Sequence, residues 1–153
     1  MNRENLVNLF YIVISVLAGA IVNFLGDTLV GVRLELFYGV ATFSPWWIID
    51  LFLVPCLAGM VVSMIYGLGG KIWCYFAPLV VRVYSYIELK YLTGVPDGAT
   101  LLEIHFWVLL VIVAVESAAI GGVFGEILVK KTYGRRPKHL VYKQKTPPRK
   151  GHA

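Results

Sequence analysis

Arg82 and Glu116 are the two residues with most at stake, because each sits inside an apolar run. At about 1.5 Å rise per residue, Arg82 lies roughly 15 Å from either end of a span over 72–92, and Glu116 lies near the centre of one over 104–129. A charge at mid-bilayer costs about 2.5–3.5 kcal/mol on insertion scales, so it needs a partner. Opposite charges at one depth on neighbouring antiparallel helices should find each other, and an Arg82–Glu116 ion pair is predicted. Such a pair serves as a buried lock or as a coupling site for ion or proton movement. The alternative is that each engages a partner subunit or a lipid head group separately. Lys71, Cys74, Pro78, Arg82 and Ser85 fall on one helical face, which turns Arg82 inward.

A second pattern runs along the first apolar segment. Glu4, Asn8, Tyr11, Ser15, Gly19, Asn23 and Asp27 recur every three or four residues, which is one face of a helix. This polar and small stripe faces the interior of a bundle, lines a hydrated path, or meets another protein. Near the other end of the chain, Ser117, Gly121 and Gly125 repeat every four residues, with Ala118 and Gly122 alongside. Small residues at that spacing let helix backbones approach closely, within one bundle or against a second copy. Asp27, Asp50, Glu88 and Glu126 sit near span ends, where they are expected to reach water or head groups. Asp27 and Asp50 share one end, where together they would form a cation-attracting mouth.

Other chemistry is poorly supported by the residues. His105 lies at a span edge and His139 and His152 lie in the tail, without the paired spacing that holds haem or zinc. Cys56 and Cys74 fall at different depths of their spans, which disfavours a disulfide and shared metal ligation. No phosphate loop follows a strand and no nucleophile elbow is present. The sequence therefore predicts no catalytic group, no metal and no cofactor of its own.

These residues must be held by membrane helices. Of 153 residues, 58% are apolar and only 15% charged, against about 45–50% and about 25% in soluble domains. That argues against a soluble globular enzyme and excludes a disordered chain and a disulfide-built secreted domain. Spans of about 20 apolar residues are read over 6–30, 46–66, 72–92 and 104–129, giving an all-α bundle of four membrane helices. Gly67–Lys71 reads as a tight hairpin, Thr93–Thr100 as a turn-rich loop, and Gly31–Pro45 as a short interfacial helix or re-entrant piece. Ala18–Val30 laid over Ser117–Val129 gives a faint internal echo between helices that cross in opposite directions.

Charge sets the orientation. The formal net charge is +5, yet residues 130–153 hold nine basic residues and no acid. By the positive-inside rule this tail is cytoplasmic, so four spans put the N-terminus and Lys71 inside as well. Glu35, Asp97 and Glu103 then share the outer loops with Arg33 and Lys90, and Trp46, Trp47, Trp107 and Trp73 fall at the two boundaries. The tail, led by Lys130, Lys131, Arg135, Arg136 and Lys138, is expected to dock on anionic lipid or a partner, not on nucleic acid. The reading is a non-enzymatic accessory or scaffold subunit of a membrane complex, with a bacterial inner membrane as the default location. Other membrane subunits are the expected partners, and a homo-oligomer is possible. The alternative is a small oligomeric ion or solute channel or transporter, using the span-one stripe and the Arg82–Glu116 pair.

Overall fold

The structure is a computed structural model and describes residues 3–133. Four α-helices are present: α1 (Arg3–Val30), α2 (Pro45–Tyr66), α3 (Phe76–Ile87) and α4 (Ile104–Tyr133). Three stretches, Asn5–Val30, Pro45–Tyr66 and Ile104–Thr132, are long and apolar enough to cross a membrane. That is the make-up of an integral membrane protein. Their bounds follow the expected 6–30, 46–66 and 104–129 closely.

Local chemistry sets the ends. Gly31 takes φ +69° after α1, and its N–H donates to the Asp27 carbonyl at 3.0 Å, a left-handed C-terminal cap that glycine adopts without strain. Ser44 caps α2 by accepting from the Trp47 N–H at 3.3 Å, with Pro45 in the first turn, where a missing N–H is harmless.

The expected span at 72–92 is not one α-helix. Gly70–Tyr75 is 3₁₀, Phe76–Ile87 is α, and Glu88–Thr93 is wound as a π-helix. Pro78 lies in the first turn of α3 and lacks the N–H that would bond back to residue 74, so the α pattern starts only there. Gly94, with φ +79°, ends the run.

The segment 31–44 contains a 3₁₀ turn at Gly39–Phe43 and a two-residue strand β1 (Leu36–Phe37). β1 pairs antiparallel with β2 (Thr100–Leu101), Leu36 opposite Leu101. This small sheet clamps the two long loops together at one end of the molecule, the sheet end. The turn between Tyr66 and Gly70 marks the opposite, hairpin end.

α2 is central, with α4 on one side and α1 on the other. The seam between α2 and α4 is close. A methyl group added at Gly121 would fall on the Cys56 carbonyl, and one at Gly59 on the Ala118 carbonyl. The repeat at Ser117, Gly121 and Gly125 is therefore buried inside this chain, against α2. Val62, Cys74, Ala77 and Ala118 complete this apolar core.

Candidate functional site

Arg82 is only 2% exposed and is surrounded by three carboxylates from three different elements. Its Nη2 donates to Asp27 Oδ1 of α1 at 2.5 Å and to Asp50 Oδ2 of α2 at 3.4 Å. Its Nη1 donates to Glu35 Oε1, in the segment after α1, at 3.3 Å. One turn further into α1, Asn23 donates Nδ2 to both oxygens of Asp27, at 3.2 Å each.

Each partner is placed by its element. Asp27 continues the stripe of α1, on which Ser15, Gly19 and Asn23 are buried as well. Asp50 sits in the second turn of α2 and faces α1. Glu35 is held from both sides, because Leu34 and Leu36 are buried and its own carbonyl accepts from the Leu102 N–H at 2.9 Å. Burial raises the Glu35 carboxyl above its ordinary 4.5, outweighing the pull of Arg82 in the other direction.

The predicted Arg82–Glu116 pair is not formed. Glu116 is exposed on α4, and the ion pairs of Arg82 go to Asp27, Glu35 and Asp50. The reason is the seam. Packing Ser117, Ala118 and Gly121 against α2 turns Glu116, about 100° around the helix from Ser117, away from the interior. Asp50 likewise departs from the solvated boundary expected for it, being completely buried, and the Asp27 side chain is 14% exposed. Glu35 was expected among outer-loop charges and is 1% exposed.

Asn8 departs from the buried part of the stripe. It is exposed near the hairpin end, where it accepts from the Tyr66 hydroxyl at 3.3 Å. Glu126 ties the same end together by accepting from the Gly69 and Lys71 N–H groups at 2.9 and 3.1 Å. Lys130 and Lys131 are exposed at the end of α4, and Arg135, Arg136 and Lys138 lie outside the described residues.

The hydrogen bonds around Arg82 do not close. Glu35 Oε2, Asp50 Oδ1, Asn23 Oδ1 and Arg82 Nε are buried and meet no partner. A cavity of about 330 Å³ reaches the cluster from the sheet end, with Asp27, Glu35 and Arg82 in its wall and the exposed Arg33–Glu88 pair among its lining residues. Among the described residues, no group of three or more His, Cys, Asp or Glu is arranged to hold a metal ion. The arrangement can bind charge and move a proton. Searches against protein families, curated proteins and solved structures return no match for this chain.

Proposed function

We propose that the chain is an accessory or scaffold subunit of a larger membrane assembly, with no enzymatic activity of its own. Glu116 carries this reading. It is exposed midway along α4, on a face otherwise made of exposed Leu109, Ile112, Ile120 and Val123. None of the ion pairs among the described residues includes it. A carboxylate at that depth in lipid costs about 2.5–3.5 kcal/mol, which a cationic or hydrogen-bonding group on a neighbouring subunit offsets.

The topology proposed with it is four crossings with both termini cytoplasmic. In support, the twelve α residues of α3 rise about 18 Å, and the six 3₁₀ residues before them add about 12 Å. Together these approach the ~30 Å of a hydrocarbon core. Lys71, Lys130 and Lys131 all belong to the hairpin end, which the positive-inside rule makes cytoplasmic. The basic tail then lies against anionic lipid or a partner, in a bacterial inner membrane.

The transport reading is favoured by one observation, the cavity that reaches Asp27 and Arg82. Against it, Gly19 packs on Val62 and Ala77, and Gly59 on Ala118, leaving no polar route onward through these contacts.

The test is extraction of the chain from its own membrane in mild detergent, with the native mass measured and the components identified. A photo-crosslinker at Ile112 reports what covers the Glu116 face. Other polypeptides in stoichiometric amounts, one of them captured from Ile112, are the expected result. The chain alone, as a monomer or a homo-oligomer, contradicts the subunit reading.

A further inference from the structure

We infer that Asp27, Glu35 and Asp50, gathered on Arg82, form a proton-binding site that is loaded from water at the sheet end. This stands apart from the subunit reading, which rests on Glu116. The argument starts from charge. Three carboxylates share one guanidinium, so a fully ionised cluster would carry two uncompensated negative charges in a buried place. Asp27 and Asp50 both contact Nη2 of Arg82, at 2.5 and 3.4 Å, which keeps these two oxygens within about 6 Å of each other. Two carboxylates that close, out of water, do not both ionise, so one takes a proton.

The unmet hydrogen bonds point the same way. Glu35 Oε2 and Asp50 Oδ1 are acceptors with no donor, in side chains that are 1% and 0% exposed. Asn23, 0% exposed, has spent its amide N–H groups on Asp27, and its Oδ1 also lacks a donor. A buried polar atom without a partner is costly. A proton on a carboxyl oxygen removes the charge and turns an unmet acceptor into an O–H donor. The Arg82 guanidinium already occupies the place between the three acids, and a proton is a counter-charge that each carboxyl oxygen can still take.

The other charges near the cluster leave this count unchanged. Arg33, of the segment after α1, and Glu88, of the π-helical turn, pair with each other at 3.4 Å and cancel. Tyr84 lines the cavity from α3, while α4 contributes no residue to its wall. The cavity supplies the route, because it joins the sheet end to Asp27 and Glu35. A proton arriving there as hydronium leaves water behind and forms an O–H bond on a carboxylate oxygen, and the reverse step returns it. Two protons balance the cluster, one on Glu35 and one shared by Asp27 and Asp50.

The full chain in lipid vesicles tests this by infrared spectroscopy of the carboxylic acid carbonyl band at neutral pH. A Glu116→Gln background keeps the α4 acid out of the signal. The expected spectrum shows protonated carboxyl groups exchanging with deuterated water, and Glu35→Gln reduces the band about twofold while the protein stays folded. Should Glu35→Gln not fold, Asp50→Asn takes its place, with the same twofold loss. Absence of the band at neutral pH in the folded background protein overturns the proposal. So does a band left at full strength by both substitutions.

Discussion

Midway along the bundle, α2 and α4 meet through Gly59, Ala118 and Gly121 without room for a side chain between the backbones. At the sheet end, four elements meet through Arg82 and three acids, with several polar atoms left unmatched. The first region, the seam, is a contact of backbones. No titratable side chain takes part in these close approaches, and they leave no room for an added atom. The second is held by charge among titratable side chains, with a cavity of about 330 Å³ beside it. The same chain thus carries one region closed by packing and one held together by titratable groups. The division follows residue type, because small residues need only proximity, whereas a buried guanidinium needs partners from every side.

Breaking the seam should have the largest effect. Gly121→Leu drives a side chain onto the Cys56 carbonyl, which forces the helices apart. No folded, monodisperse protein is expected by gel filtration in detergent, at any pH. Arg82→Gln attacks the other region and should cost about 3–5 kcal/mol at neutral pH, because it strands the one carboxylate charge that the cluster retains. Unlike the seam variant, it should recover part of its stability in acid, when that remaining carboxylate is neutral. Unfolding titrations at two pH values distinguish the two variants.

Smaller changes sharpen the contrast. Asn23→Leu removes both donors to Asp27 and should cost about 1–3 kcal/mol. Glu35 sets a pH dependence whose sign follows from linkage. Its folded carboxyl titrates above the ordinary 4.5, so the folded state holds more protons than the unfolded one over that interval. Stability from this group is fully present below the ordinary value and declines as pH rises through the folded one. Glu35→Gln should flatten that slope in thermal unfolding followed by circular dichroism. Arg33→Ala should shift stability least, by under about 1 kcal/mol, because its pair with Glu88 is largely exposed.

Much of the fold was legible because membrane helices announce themselves by length and apolarity. The starts and ends of α1, α2 and α4 follow from an apolar run, the Ser44-Pro45 cap and Gly31. The third run was harder, since hydropathy does not distinguish a 3₁₀ or π turn from an α turn. Pro78 was the available signal for its late start.

The site was legible by parts. The inward face of Arg82 and the buried half of the α1 stripe follow from helical spacing. The partner of Arg82 does not follow, because depth along a helix does not reveal that the small-residue seam turns Glu116 outward. The Arg82 side chain instead meets acids near the ends of α1 and α2. Glu35 was missed for a related reason: a loop acid reads as solvated, and only the Leu34-Glu35-Leu36 sandwich hints at burial. Its pairing with residues 101 and 102, far along the chain, is what encloses it.

The choice of partner by Arg82 is the claim on which the two-region account depends. A double-mutant cycle on stability in lipid, crossing Arg82→Gln with Asp50→Asn and separately with Glu116→Gln, measures it directly. The account predicts clear coupling between Arg82 and Asp50 and additive effects for Arg82 with Glu116. Coupling to Glu116 with none to Asp50 would contradict it.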